Sequence, residues 1–320
     1  MTVTPDSPAT DSPGTDGPAT GGPATGGPGT TVEGTVAIDP SGRRAPMALM
    51  TGAFVLLVLL IVAVLLVVKV TRGTTTVAPP PVAPAAAGIV RMATSVPALD
   101  LNAVGAPATD GPAPVVLAGQ SPLVIGGRPG VVYVGSEFCP YCAAARWSLV
   151  VALSRFGTVG HLGATSSSDV EAFPGIPTFS FDGSTYRSRY LSWSAVEEYG
   201  QSLAVRGPAG FTLLHPPTPV SVALMRRYSP VGPTATLPFI DVGNRLLIEG
   251  AGIGFSPGVL QGLSMGQIAT DLSDPTSAVA QAVLGTANEI TAGICAVTKG
   301  QPGPVCRSTG VRAGANRLGL

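Results

Sequence analysis

The chain has 320 residues, of which 11% are charged and 45% are hydrophobic, and its mean hydropathy is +0.41. Eighteen basic residues balance eighteen acidic ones, so the sequence indicates no basic surface for nucleic acid. The length fits one medium domain with additional non-globular parts.

The first 44 residues are predicted to be a disordered tail rich in Pro, Gly and Thr. Residues 6–30 are five related pentapeptides, DSPAT, DSPGT, DGPAT, GGPAT and GGPGT, which cannot bury much apolar surface. Residues 71–114 are again rich in Pro and Ala and poor in aromatic residues, which is typical of a spacer. The folded domain is therefore predicted to cover residues 115–320.

Residues 45–70 are predicted to form one transmembrane helix. No residue from Ala45 to Val68 is charged. A helix over Met47–Val68 would be about 33 Å long at ~1.5 Å per residue, enough to cross a ~30 Å hydrocarbon core. A cleaved signal peptide would have a shorter apolar region, and a buried helix of a soluble core is the other alternative.

The charges that flank this segment do not decide its orientation, because Arg43 and Arg44 on one side are matched by Lys69 and Arg72 on the other. We expect a single-pass protein of the cell membrane with its N-terminus in the cytoplasm and its C-terminal domain outside, since one anchor before a large domain usually exports it. Four cysteines in two pairs also suit an oxidising compartment, although CxxC pairs work in the cytosol too.

The most informative motif is Cys139-Pro140-Tyr141-Cys142. Val131–Val134 before it is typical of a buried strand, and the apolar residues of Ala143–Phe156 predict a helix packed against a sheet. In a helix that begins near Cys139, the second thiol lies almost one turn further on and can reach the first sulfur. The order of strand, CxxC and helix indicates a thioredoxin-like redox domain.

The two cysteines are expected to have different roles. Unpaired N–H groups at the start of a helix favour a thiolate on Cys139, which makes it the nucleophile, and Cys142 then resolves the mixed disulfide. Two charged neighbours, Glu137 and Arg146, are expected to be solvated. A structural zinc site and a purely structural disulfide are the alternatives for the motif.

After the CxxC helix the sequence predicts an insertion and then a β-hairpin. Within the insertion, Pro177–Phe181 is typical of a strand and Ser194–Val205 of a helix. The hairpin covers Thr236–Glu249 and turns at Gly243-Asn244, a pair that tolerates positive φ. Pro238 cannot donate a hydrogen bond to a ladder, so it belongs at the beginning of the first strand, where a cis peptide bond after Leu237 is compatible.

A second cysteine pair lies near the C-terminus. Asp274-Pro275 is typical of a helix start, and apolar residues then recur at helical spacing up to Cys295. Glycines and prolines from Gly300 to Pro304 end the helix and allow the chain to turn, so that Cys306 can approach Cys295. We predict a structural disulfide between them; exchange with the CPYC pair and two free thiols are the alternatives.

These motifs resemble the thioredoxin superfamily, which places a cis-proline before its antiparallel hairpin and beside the CxxC pair. Pro238 matches that position and joins Cys139 and Cys142 as a candidate catalytic residue. The chain from Val115 to Cys306 further resembles a family of membrane-anchored thioredoxin-like proteins of actinobacteria and some archaea, which is catalogued as a domain of unknown function. The stretches that carry this resemblance are Phe173–Glu197, FIDVGNRLLIEGAG and ICAVTKGQPGPVC. It implies a fold and a redox-type site but no substrate.

The expected fold class is α/β, with a thioredoxin-like fold, an insertion between the CxxC helix and the β-hairpin, and one preceding transmembrane helix. The expected function is that of a membrane-anchored extracytoplasmic thiol-disulfide oxidoreductase acting on exported proteins or small thiols. We expect no cofactor, no metal and no nucleic acid. Gly250–Gly254 lacks the GxGxxG pattern of a nucleotide-binding loop. The alternative is a non-catalytic thioredoxin-like binding module of the cell envelope with structural disulfides.

Overall fold

The computed structural model describes residues 54–65, 82–108, 111–203, 210–229 and 237–320. The chain divides into two units, Met1–Thr75 and Thr76–Leu320. In the first unit the described part is helix α1, which covers 54–65. The predicted tail over 1–44 and most of the predicted transmembrane segment lie outside the described residues. All further elements belong to the second unit.

The helices and strands of the second unit alternate irregularly along the chain. The helices are α2 (Ala87–Thr94), α3 (Ala98–Val104), α4 (Pro140–Ser154), α5 (Pro219–Tyr228), α6 (Met265–Asp271), α7 (Ala278–Val297), α8 (Gly303–Cys306) and α9 (Thr309–Leu318), with short 3-10 helices at Gly250–Ile253 and Pro257–Leu260. The strands are β1 (Val115–Val116), β2 (Val124–Ile125), β3 (Arg128–Gly135), β4 (Thr158–Gly160), β5 (Gly163–Ser166), β6 (Pro177–Ser180), β7 (Thr185–Arg187), β8 (Ser192–Glu197), β9 (Tyr199–Leu203), β10 (Phe211–Leu213), β11 (Phe239–Val242) and β12 (Leu246–Glu249).

The main sheet of the described residues has six strands and is built around β3. Its order is β1-β12-β11-β3-β2, and β8 also pairs with β3. The β3–β8 pair is parallel, whereas β3–β11 and β11–β12 are antiparallel. The remaining strands form three two-stranded sheets, β4-β7, β5-β6 and β9-β10.

Strand β3 is buried because both of its faces are covered. Val131 and Tyr133 pack into a core cluster with α4 and α7, while Val132 and Val134 pack into a second cluster with α5 and the CPYC cysteines. This alternation follows from the two-residue period of a strand. Helix α4 is buried around nearly its whole circumference, as its mostly apolar sequence requires.

The folded unit begins earlier than residue 115, so the predicted spacer over 71–114 needs correction. Helices α2 and α3 lie within it, and Ala93 and Leu101 are 0% and 3% exposed. Asn288 of α7 donates from Nδ2 to the carbonyl oxygens of Leu101 and Gly105, both at 2.8 Å. The composition of the segment resembles a spacer because only a few apolar side chains, among them Leu101 and Val104, join the core between its many Pro and Ala residues.

Two local predictions have opposite outcomes. The hairpin is confirmed: β11 and β12 pair in antiparallel register, and Gly243 and Asn244 have φ values of 64° and 56°. The helix predicted at Ser194–Val205 is wrong, because residues 194–203 of this range form most of β8 and all of β9. Pairing of the whole of β8 with Gly130 to Gly135 of β3 overrides the local helical pattern.

The structure shows a mixed α/β fold, but the more specific prediction of a thioredoxin-like fold preceded by one transmembrane helix is wrong. Within the described ranges, none of the helices combines the length and the apolar character needed to cross a membrane. The thioredoxin-like part is not retained either, because strands β4 to β7 occupy the connection from α4 to β8 in two separate small sheets, and β1 and β2 add further antiparallel pairs to the main sheet.

Candidate functional site

Cys139 is positioned by the start of helix α4. It is the N-cap residue, with extended φ and ψ of −75° and 122°, and Pro140 follows at the first helical position. The Cys139 Sγ accepts a hydrogen bond from the Cys142 backbone N–H at 3.2 Å. This is the role that a serine or aspartate oxygen has at other helix starts, and a thiolate is a stronger acceptor there than a thiol.

The loop before β11 lies against the same sulfur. The Cys139 Sγ is 3.7 Å from the carbonyl oxygen of Leu237, and the Leu237–Pro238 peptide bond is cis. The structure therefore brings together the three predicted catalytic residues, Cys139, Cys142 and Pro238, from two segments 98 positions apart.

Both thiols are free and buried, but their surroundings differ. Cys139 is 6% exposed and Cys142 is 0% exposed. Burial raises the pKa of the Cys139 thiol, but the hydrogen bonds from Cys142 and the charge of Arg146 outweigh this effect, so the pKa lies below its ordinary value. Burial and the hydrogen bond with Cys139 raise the pKa of Cys142 well above its ordinary value. The pair therefore consists of one sulfur that loses its proton more easily than an ordinary thiol and one that holds its proton.

A buried ion pair lies next to the dithiol. Arg146 of α4 donates from Nε to Glu197 Oε1 at 2.8 Å and from Nη2 to Glu197 Oε2 at 2.6 Å, and both side chains are fully buried. Nη2 also donates to the Ser136 carbonyl oxygen at 2.8 Å. Glu197 forms part of the wall of a cavity of about 460 Å³ along β8. The expectation that Arg146 is solvated is therefore wrong.

Glu137 is also buried, at 5% exposure, which contradicts the expectation of a solvated carboxylate. It accepts hydrogen bonds from the Ser180 and Thr165 hydroxyls at 2.5 and 3.0 Å. Its backbone N–H donates to the Tyr199 carbonyl oxygen at 2.8 Å. Glu137 therefore anchors the loop before Cys139 to β5, β6 and β9.

Aromatic side chains surround the approach to the motif. Phe138 stacks on Phe211 of β10 with ring centroids 4.0 Å apart, and Tyr141 meets Phe173 edge-to-face at 6.1 Å. Such pairs stabilise the conformation of the segments that carry them by about 1 kcal/mol each. The residues on both sides of Cys139 are thus held by packing.

The second cysteine pair is joined by a disulfide bond between Cys295 and Cys306. Val297, two residues after Cys295 in α7, lies against Gly243 at the turn of the hairpin. Cys139 contacts Leu237, just before the other end of β11. The two cysteine pairs therefore lie beside opposite ends of one strand.

Sequence reasoning missed Arg146 and Glu197 as parts of the site. Their separation of 51 positions carries no local signal, since the contact exists only when β8 pairs beside β3. The usable signal was the arginine itself, which stands in the middle of the otherwise apolar helix α4. In the described residues, no group of three or more His, Cys, Asp or Glu side chains is arranged to hold a metal ion.

A family model with the description "Domain of unknown function (DUF929)" matches residues 115–296, which is more than half of the chain. The chain belongs to this family. No curated protein and no solved structure matches it. The DUF929 match includes the CPYC motif, Glu197, the hairpin and Cys295, and it begins after helices α2 and α3.

Proposed function

We propose that this protein is a thiol-disulfide oxidoreductase that acts through Cys139 and Cys142. The observation that carries the proposal is the placement of the Cys139 Sγ at a helix start, where it accepts the Cys142 N–H at 3.2 Å. A thiolate at such a position is the attacking species in thiol-disulfide exchange.

In the proposed exchange, the Cys139 thiolate attacks one sulfur of a substrate disulfide. A Cys139–substrate disulfide forms, the substrate S–S bond breaks, and the second substrate sulfur leaves as a thiolate. Cys142 then gives its proton to solvent or to the leaving thiolate and attacks Cys139. The Cys139–Cys142 disulfide forms, the Cys139–substrate bond breaks, and the first substrate sulfur leaves as a thiolate, so the substrate has been reduced by two electrons to two thiols. The same steps in reverse oxidise a dithiol substrate.

The high pKa of Cys142 fits its role in this sequence. A protonated Cys142 does not compete with Cys139 for the substrate, and a mixed disulfide on Cys139 removes the hydrogen bond that raises the Cys142 pKa. The resolving step then becomes easier once the first step is complete.

The proposed substrates are exported proteins with disulfides or small thiols. The Cys295–Cys306 disulfide supports an oxidising compartment, because disulfides are rare in reducing cytosol. Its place beside the far end of β11 supports a structural role, not exchange with the CPYC pair.

The proposal is tested with the full-length chain, insulin as disulfide substrate and dithiothreitol as reductant. Cys139→Ser is expected to abolish turnover, because no nucleophile remains. Cys142→Ser, reduced and then separated from dithiothreitol before insulin is added, is expected to accumulate mixed disulfides on Cys139, which mass spectrometry detects, because the resolving thiol is missing.

The matched control is Cys295→Ser/Cys306→Ser, which makes the same chemical change outside the motif and is assayed at a temperature where it remains folded. It is expected to keep turnover. Wild-type turnover in Cys139→Ser would contradict the assignment. A CPYC pair inert to dithiothreitol and to alkylation in the native protein would favour a non-catalytic binding module.

A further inference from the structure

We infer that the buried Arg146–Glu197 pair is a positioning device for the dithiol: Arg146 stabilises the Cys139 thiolate, and Glu197 holds the guanidinium in place while opposing its charge. This inference rests on the proposed function, because it concerns the same sulfur. The exchange chemistry itself uses neither side chain.

The geometry ties Arg146 to both cysteines. Arg146 is four residues after Cys142 in α4, so the two side chains lie on the same face of the helix. Its Nη2 donates to the carbonyl oxygen of Ser136, three residues before Cys139, at 2.8 Å. The guanidinium is thus fixed against the helix that carries one thiol and the loop that carries the other.

Glu197 determines the orientation of this guanidinium. Its two carboxylate oxygens accept from Nε and Nη2, and it also accepts the Phe181 N–H at 3.3 Å and the Tyr133 hydroxyl at 3.4 Å. Arg146 Nη1, by contrast, is buried and has no hydrogen-bond partner within the described ranges. The carboxylate therefore leaves one N–H edge of the guanidinium uncommitted.

A buried ion pair is a weak source of stability for a core. Two buried charges lose their hydration, and replacing such a pair by apolar side chains is often neutral or stabilising. A positive charge in a buried site is weakly screened, however, and an opposite charge within a few ångströms lowers a thiol pKa. An electrostatic effect on the thiols therefore explains the presence of this pair better than packing does.

Other ionisable groups contribute to the same electrostatic balance. Tyr133 of β3 and Cys142 and Arg146 of α4 interact with Cys139 itself, and Glu197 of β8 interacts with Cys142 and Arg146. Glu137 is two residues before Cys139 in the chain, and Asp241 of β11 pairs with Val132 of β3. Glu137 accepts from two hydroxyls, and Asp241 accepts the Asn244 N–H at the hairpin turn. Arg146 is the cation of this set. Its removal is therefore expected to shift the titration of Cys139 in the opposite direction to the removal of a carboxylate.

The test is the pH dependence of Cys139 alkylation by iodoacetamide in the reduced full-length chain, quantified by mass spectrometry. Arg146→Met is expected to raise the midpoint pH of alkylation by about one unit, because the thiolate loses its cation. Glu197→Gln is expected to lower the midpoint, because the opposing charge disappears while the Gln oxygen still accepts from Arg146. Arg146→Lys keeps a positive charge, so its midpoint is expected to lie between those of the wild type and Arg146→Met.

Opposite shifts separate an electrostatic role from a structural one, since loosening of the fold moves both variants in the same direction. Arg146→Met/Glu197→Leu provides a second test with an apolar core and is expected to have a midpoint above that of the wild type. Shifts of Arg146→Met and Glu197→Gln in the same direction, or a wild-type midpoint in the double variant, overturn the inference.

The wild-type profile separates this inference from the proposed function. A wild-type midpoint near that of a free cysteine, about 8.5, contradicts the proposed nucleophile and the inference together. A low wild-type midpoint that does not respond to changes at Arg146 and Glu197 overturns the inference and leaves the proposed function in place.

Discussion

Cys139 and Cys142 carry the same chemical group, and the difference between them arises from one helix terminus. The Cys139 sulfur lies outside the first turn and accepts an N–H, while the Cys142 sulfur lies inside the turn and is fully buried. The N–H stabilises negative charge on the first sulfur, and burial opposes it on the second. The order of attack and resolution in the proposed exchange follows from this asymmetry.

Asp241 gives a residue-scale prediction for stability. Burial raises its pKa to about 6, although its Oδ1 accepts the Asn244 N–H at 2.7 Å, and its Oδ2 has no partner in the described part of the chain. A raised carboxyl pKa means that the folded state holds its proton longer than the unfolded state. Stability is therefore lost as the pH rises from about 4 to above 6.

Asp241→Asn has no carboxyl to ionise, so it does not suffer this loss. Between pH 4 and pH 7 the free energy of unfolding of the wild type is expected to decrease by about 1–3 kcal/mol more than that of Asp241→Asn. Urea unfolding at both pH values measures the difference. Asp169→Asn, a change of the same type at an exposed position, is the control and is expected to follow the wild type. Identical pH dependence in wild type and Asp241→Asn contradicts the account of this carboxyl.

At the scale of elements, strong local patterns were sufficient to predict β3, the CPYC helix and the hairpin from the sequence. A buried β-branched run, a helix-start proline and a positive-φ turn are each set by nearby residues. Strands β8 and β9 could not be predicted in this way, since β8 owes its conformation to a partner about 60 positions away.

The candidate site shows the same division. The CPYC spacing and the position of Pro238 were visible in the sequence, because each belongs to a local motif. The burial of Arg146 and Glu137 was not, because a charged side chain is buried only where distant groups pair with it, here Glu197 and Ser180.

The packing of α9 against α3 yields an element-scale prediction. A Cβ at Gly310 would overlap the Leu101 carbonyl oxygen and lie 2.7 Å from Asn288 Nδ2, and the Gly310 N–H donates to Asn102 Oδ1 at 2.9 Å. Gly310→Ala is therefore expected to lower the free energy of unfolding by about 1–3 kcal/mol, as overpacked positions do. Chemical unfolding measures this change.

Gly266→Ala is the matched control, because Gly266 also lies in the first turn of a helix, α6, but its nearest neighbour beyond the helix would be 4.0 Å from the new Cβ. It is expected to leave stability unchanged or to raise it by up to about 1 kcal/mol. Equal effects of the two substitutions would contradict the close approach of α9 to α3.

At the scale of the molecule, helices α2 and α3 before residue 115 are part of the fold of the second unit. Residues 82–85 pair with the segment around Gly163, since Ala85 N–H donates to the Leu162 carbonyl at 2.9 Å and Ala164 N–H to the Ala83 carbonyl at 2.7 Å. Together with α2 and α3 they cover the core next to α4, α6 and α7.

A chain of residues 76–320 is therefore expected to be more stable than one of residues 115–320. Removal of α2 and α3 takes away the buried side chains of Ala93, Leu101 and Val104, uncovers the core residues they pack against and leaves the Asn288 amide without its two acceptors, which costs several kcal/mol in total. Thermal unfolding of the two fragments is the measurement. Equal midpoints would show that the folded unit begins at residue 115 after all.

The central claim is that Cys139 and Cys142 form the reactive dithiol of this protein, and redox titration of the full-length chain tests it most directly. The protein is equilibrated in glutathione buffers of graded ratio, quenched by alkylation and mapped by mass spectrometry. The account predicts that Cys139 and Cys142 change together between dithiol and disulfide, while Cys295–Cys306 remains bonded across the same range. A CPYC pair that stays in one state while Cys295 and Cys306 titrate would contradict it.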